Sequence, residues 1–327
     1  MSNLIRVLAI DGGGIRGIIP AMIMDEIEKR TGKPIAKLFH LIAGTSTGGI
    51  LALGLTRPDP RNQDSPKYTA EEAIGLYDND GARIFSRSVW HRIHSRFGLA
   101  DEKYPAEGVE AVLDEYLGDA RISDALTDVL ITSYEIEQRF PFFFRSSKAR
   151  QDPTYDFPMV KAARATSAAP TYFEPLKLET EETVDYYALI DGGVYANNPA
   201  MCAYVEAKTT YAEAKPEDFL LVSLGTGQLT RPLLYNEVKD WGLIEWAQPI
   251  LNVVFDGVSD TVDYQLRQLL APERYYRFQI RLDEGNDDMD DASRTNTRSL
   301  ILLAQEMIHK SKNDLEQLCE LLVEETG

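Results

Sequence analysis

Leu38-Phe39-His40-Leu41-Ile42-Ala43-Gly44-Thr45-Ser46-Thr47-Gly48-Gly49-Ile50 is an apolar run that ends in G-x-S-x-G and continues into Ile50-Leu51-Ala52-Leu53. The pattern is that of a strand, a sharp turn and a helix, with a serine at the apex. Such a turn leaves no room for side chains beside the apex, which accounts for Gly44 and Gly48. The serine hydroxyl of a turn of this kind is exposed and can act as a nucleophile.

A second strand-turn-helix lies upstream. Ile5-Arg6-Val7-Leu8-Ala9-Ile10 leads into Asp11-Gly12-Gly13-Gly14-Ile15-Arg16-Gly17, followed by a helix with Ile19, Met22, Ile23 and Ile27 on one stripe. Three consecutive glycines uncover backbone N–H groups at a helix N-terminus, where the helix dipole adds positive potential. Beside a nucleophilic serine, such a loop suits an oxyanion hole. Gly12, Gly14 and Gly17 also satisfy G-x-G-x-x-G, the dinucleotide fingerprint. That reading requires an acid near the end of the next strand, and residues 31–42 contain none. A dinucleotide-binding oxidoreductase therefore stands as the alternative.

A serine nucleophile needs a base. Of the four histidines, His40 lies in the elbow strand, and His91 and His94 lie in a basic stretch. His309 falls on the polar face of a C-terminal helix whose apolar stripe includes Leu300, Met307, Leu315 and Leu318. None is placed as a base. A third glycine-rich site offers a carboxylate: Tyr186-Tyr187-Ala188-Leu189-Ile190 ends in Asp191-Gly192-Gly193-Val194-Tyr195-Ala196-Asn197-Asn198-Pro199. If that strand lies near the elbow strand, Asp191 can reach Ser46 directly. Read alone, the same string is an Asp-Gly turn before a helix.

In this order and combination, DGGGIRG, GTSTGG and DGG resemble the patatin-like acyl hydrolases, relatives of the cytosolic phospholipase A enzymes. Ala165-Thr166-Ser167-Ala168-Ala169-Pro170-Thr171-Tyr172-Phe173 and Ser223-Leu224-Gly225-Thr226-Gly227 are similar to two further segments of that family. The resemblance spans roughly residues 5 to 230 and fades beyond them. It implies a Ser46–Asp191 dyad without histidine, an oxyanion hole from Gly12, Gly13 and Gly14 with Arg16 beside it, and no metal or cofactor. It further implies hydrolysis of fatty-acyl esters of glycerolipids, with lipid as the partner. A ligand-gated membrane-degrading effector, or a binding module that keeps the fold, remains open within the same resemblance.

Composition sets outer limits. The 327 residues are 44% hydrophobic, an ordinary globular share, and can form one or two domains. Two cysteines, Cys202 and Cys319, make no disulfide framework, so a reducing, cytoplasmic setting is expected. A net charge of −18 argues against nucleic acid and against general adsorption to anionic bilayers. Residues 81–100 are the exception, with Arg83, Arg87, Arg92 and Arg96 among Phe85, Trp90 and Phe97 and no acid. Peripheral contact with a membrane surface is one expectation for this stretch, and a solvated basic face is the other. The run Asp283–Asp291 is densely acidic without the spacing of a calcium loop, and is expected to be a solvated loop.

Strands are expected near 4–10, 38–43, 129–136, 140–145, 186–190, 219–224 and 275–281. Helices are expected over 18–30, 48–56, 69–79, 106–117, 158–166, 198–214, 258–270 and 293–323, with 59–66 a polar loop. This alternation indicates an α/β three-layer sandwich around a mostly parallel sheet, and the resemblance implies the patatin-like variant of the α/β-hydrolase type. With no linker or repeat in view, residues 1–327 are expected to form one domain, with a motif-bearing part to about 230 and a helical part from 231.

Overall fold

The computed structural model describes residues 4–78, 106–170, 172–180, 186–228, 232–246, 249–282 and 289–324. The basic-aromatic stretch 81–100 and most of the acidic run, 283–288, lie outside the described residues.

In chain order the elements that position the site are β1 (Ile5–Ile10), α1 (Ile18–Thr31), β2 (Leu41–Gly44), α2 (Thr47–Thr56), the hairpin strands β3 (Pro58–Asp59) and β4 (Asn62–Pro66), α3 (Ala70–Asp78) and α4 (Ala106–Leu117). There follow β5 (Asp128–Glu135), β6 (Phe140–Arg145), α5 (Met159–Thr166), β7 (Leu176–Glu179), β8 (Tyr186–Asp191), α6 (Ala200–Thr210) and β9 (Phe219–Leu224). The last are α7 (Pro249–Leu269), β10 (Tyr275–Phe278), α8 (Arg294–Lys310) and α9 (Lys312–Val323).

One sheet of eight strands runs β10-β9-β1-β2-β5-β8-β7, with β6 also paired to β5. The strands from β10 to β5 are mutually parallel, and β6, β7 and β8 add an antiparallel flank. The parallel strands are apolar at nearly every position because both faces are covered. Leu8, Ile10, Ile42, Leu220 and Val222 point into one core, whereas Val7, Ala9, Leu41, Ala43, Phe219 and Leu221 point into the other. The first core is closed by α1, α2, α8 and α9, and the second by α6 and α7. The arrangement is the expected α/β sandwich with a mostly parallel sheet.

The register on β5 decides where the active groups meet. β6 pairs with residues 130–135 of β5 and so occupies one edge. β2 and β8 share the other edge, β2 along 128–131 and β8 along 133–135. Since β2 is parallel to β5 and β8 antiparallel, their C-terminal ends point at each other. Gly44 lies opposite Ile131 and Asp191 opposite Ser133, two residues along the same strand.

Four differences from the sequence reading have local causes. The expected helix over 293–323 is two helices, broken at Ser311, which ends α8 and begins α9. The break lets Leu300 and Met307 on one helix and Leu315, Leu318 and Leu322 on the other all reach the core over α1. Helix α7 begins at Pro249 rather than 258, because its first turns carry Ile250, Val253 and Val254 outward and show no inward stripe. Residues 59–66, expected as a loop, close together with Pro58 as the hairpin β3–β4. Strand β7, whose short Leu176–Glu179 stretch gives little periodicity to read, was not anticipated.

Candidate active site

β2 ends at Gly44 and α2 starts at Thr47, leaving two residues to reverse the chain. Ser46 takes φ 54° and ψ −124°, a conformation that costs a non-glycine residue about 1–3 kcal/mol. Surrounding bonds hold it there. The Ser46 N–H donates to Thr166 Oγ1 (2.8 Å), and Thr45 Oγ1 donates to the Ala196 carbonyl (2.6 Å). Gly44 and Gly48 are required by contact: a Cβ on Gly44 would lie 2.3 Å from the Gly48 carbonyl oxygen, and one on Gly48 would lie 2.2 Å from that of Ile10.

Asp191 closes β8 with its carboxylate buried beside the serine. Its Oδ1 accepts the Gly193 N–H at 2.7 Å, and Ser46 lines the same cleft beside it. The Asp191 N–H donates to the Ala168 carbonyl (3.0 Å). Burial pushes the Asp191 carboxyl up to about 7, against the pull of the Gly193 hydrogen bond and of the neighbouring Ser46. A carboxylate with this value is poised to take and return a proton near neutral pH.

Neither described histidine approaches this pair. His40 accepts the Arg6 N–H through Nδ1 (2.9 Å), and its pKa is lowered by burial and by Arg6. His309 is exposed on α8. His91 and His94 lie outside the described residues.

The four residues anticipated for the oxyanion hole divide into two pairs. The Gly12 N–H donates to the Asn197 carbonyl (2.9 Å), so this amide is engaged. Gly12 is instead a position of close approach, where a Cβ would lie 3.3 Å from Ser46 Cβ. Arg16 is buried outside the cleft lining, with Nε donating to the Gly13 carbonyl (3.3 Å). Gly13 and Gly14 line the cleft together with Ser46 and Asp191, and their amides have no acceptor among the described residues. Gly14 has φ +58°, and the next amide, Ile15, is tied to the Met289 carbonyl at 3.0 Å.

Two contacts from distant parts of the chain fix the loop. Thr226 Oγ1 donates to the Gly12 carbonyl (2.6 Å). Asp11 is buried in a two-point ion pair with Arg277 of β10. Arg277 Nη1 also donates to Ser223 Oγ of β9 (2.8 Å). Burial raises the Asp11 pKa and Arg277 opposes the rise.

A narrow cleft lies in front of Ser46. Ile50, Val109, Tyr172, Phe173, Phe255 and Met289 give it an apolar wall. Its polar lining is supplied by Ser46, Thr47, Ser167, Asp191, Asn197 and Asp290.

The structure thus brings Ser46, Asp191, Gly13 and Gly14 to one cleft. Thr166 and Ala168 sit in a segment singled out in the sequence, but only the fold assigns them the Ser46 N–H and the Asp191 N–H. Phe255, Arg277 and Met289 come from the part beyond residue 230, where the motifs end, and no local signal marks them.

Comparison with known proteins agrees. The family model described as patatin-like phospholipase matches residues 8–204. "Patatin-like protein 4" of Arabidopsis thaliana is 31% identical over 94% of this chain and 84% of its own length. "Patatin-like protein 2" of the same plant is 34% identical over 85% of this chain and 76% of its own. "Probable inactive patatin-3-Kuras 1" of Solanum tuberosum is 32% identical over 96% and 89%. On a family match that carries the elbow, the glycine loop and the aspartate strand alike, this chain belongs to the patatin-like phospholipase family.

Proposed function

We propose that this chain is a serine acyl hydrolase that cleaves fatty-acyl esters of glycerolipids, of phospholipase A or lysophospholipase type, through a Ser46–Asp191 dyad. The observation that carries the reading is a serine at a strained turn standing beside a buried carboxylate in a cleft with an apolar wall. Ionised Asp191 accepts the hydroxyl proton as Ser46 Oγ adds to the ester carbonyl. The Gly13 and Gly14 amides donate to the tetrahedral oxyanion, where one such donor contributes about 3 kcal/mol of barrier lowering. Collapse breaks the ester bond, and protonated Asp191 returns its proton to the departing alkoxide. Water then gives a proton to Asp191 and adds to the acyl-serine, and the fatty acid leaves as Ser46 is re-protonated.

The apolar wall supports an acyl chain as the part of the substrate that contacts the cleft. The dinucleotide alternative is not favoured by the surroundings of its own loop. Gly17 packs against Thr47 and Tyr77, and the residue that follows β2 at the cleft is Ser46 rather than an acid. A lipidomic comparison of bilayers treated with wild type and Ser46→Ala tests the proposal. Fatty acid and lysolipid should accumulate with wild type only, and equal release by the variant would sink it.

A further inference from the structure

The first turns of α7 have one side on the catalytic cleft and apolar side chains in solvent on the other. Phe255 forms part of the cleft wall. Farther along, Ser259 Oγ meets Asn197 Nδ2 at 3.3 Å, and Leu266 is buried against the sheet, so the body of the helix is seated. Ile250, Val253 and Val254 nevertheless remain exposed, as do Leu234, Tyr235 and Leu243 in the preceding segment. Leu243 is 93% exposed and Tyr235 77%. Trp241 and Trp246 pack edge to face beside them, 5.4 Å between ring centres. Large apolar side chains gathered in one stretch of surface mark a site of contact rather than a solvated face.

We infer that this face, from Leu234 to Val254, docks on the surface of a zwitterionic phospholipid bilayer and sets the cleft mouth against it. The inference rests on the lipid-ester reading above. An acyl chain leaving a bilayer must enter the cleft without crossing bulk water, and the exposed Ile250, Val253 and Val254 share a helix with Phe255 of its wall. Leu, Ile and Val side chains suit the acyl boundary, and Trp and Tyr suit the headgroup level. Charge selects the kind of bilayer. Among the described residues 232–246 and 249–258, Glu237, Asp240, Glu245 and Asp256 stand against Lys239 alone, in a chain of net charge −18. Anionic headgroups would be repelled at contact, whereas net-neutral ones would not.

The test uses the full chain carrying Ser46→Ala, so that vesicles stay intact, in flotation with phosphatidylcholine vesicles. Adding Leu243→Ser, Ile250→Ser and Val253→Ser together should lower partitioning about tenfold or more. Leu243→Asp alone, at a side chain that packs on almost nothing, should weaken it in the same direction. With Ser46 restored, the triple variant should turn over a short-chain soluble ester within about twofold of wild type, with an unchanged melting temperature, while losing activity on vesicles. Flotation equal to that of the parent would overturn the inference. So would a parallel loss of soluble-ester turnover and melting temperature, tighter binding to vesicles one-third anionic than to phosphatidylcholine alone, or an oligomer that these substitutions split and that does not float. Turnover surviving Ser46→Ala would instead defeat the hydrolase reading, which flotation does not depend on.

Discussion

Asp11 and Arg277, 266 residues apart in the chain, meet in a buried two-point ion pair, Nη1 to Oδ1 at 3.0 Å and Nη2 to Oδ2 at 2.6 Å. Asp11 is the residue before the glycine loop, and Arg277 sits on β10, one strand beyond β9. The pair therefore pins the loop to the far edge of the parallel sheet.

Removing one partner should cost more than removing both. Arg277→Met leaves a carboxyl buried without its cation and is expected to destabilise the protein by about 3–5 kcal/mol. Asp11→Leu combined with Arg277→Met leaves no orphaned charge and should recover part of that loss. Urea midpoints of the three proteins decide it. A double variant no more stable than Arg277→Met would refute the ion-pair account.

Ser46→Ala and Asp191→Asn should each lower ester turnover about a thousandfold or more while leaving the protein folded. His309→Ala should leave turnover unchanged, because that side chain is in solvent. A folded His309→Ala variant as inactive as Ser46→Ala would replace the dyad with a triad.

The raised pKa of Asp191 gives two pH signatures of opposite sign. The base works only when ionised, so kcat/KM should rise with pH through an inflection at about 7. Stability runs the other way. A carboxyl whose folded-state value exceeds the unfolded one binds its proton more tightly when folded. The stability this contributes is complete below about pH 4 and is lost as pH rises through about 7, at about 1.4 kcal/mol for each pH unit in between. Asp191→Asn, whose amide oxygen can still accept the Gly193 N–H, should melt above wild type at pH 8, with the gap closing by pH 4–5. A gap independent of pH would mean that Asp191 is not the group responsible.

Thr166→Val removes the acceptor of the Ser46 N–H and leaves that amide unpaired at a strained turn. A stability loss of about 1–3 kcal/mol is expected, with a lower kcat. Thr166→Ser keeps the hydroxyl and should restore most of both. If Ser and Val behaved alike in a thermal melt and in turnover, the hydrogen bond would not be holding the elbow.

Three strings were legible without the fold because each is a local solution to a backbone problem. G-x-S-x-G around Ser46, the triple glycine at 12–14 and Asp191-Gly192-Gly193 are turns at which a side chain in place of most of the glycines would collide with neighbouring atoms. The alternation of apolar runs likewise announced a parallel sheet, because strands buried on both faces have no polar side. What no local string contains is a register. Ser46 and Asp191 meet because β2 and β8 run in opposite directions along one edge of β5 and end two residues apart on it. The same holds for the Gly12 amide, taken by Asn197, and for the Asp11 carboxylate, taken by Arg277. These partners are chosen by strand order, since hydrogen bonds and ion pairs act over a few ångströms whereas the chain separating the groups runs to hundreds of residues. The sequence determined which groups could do the chemistry, and the tertiary structure alone decided which of them face one another.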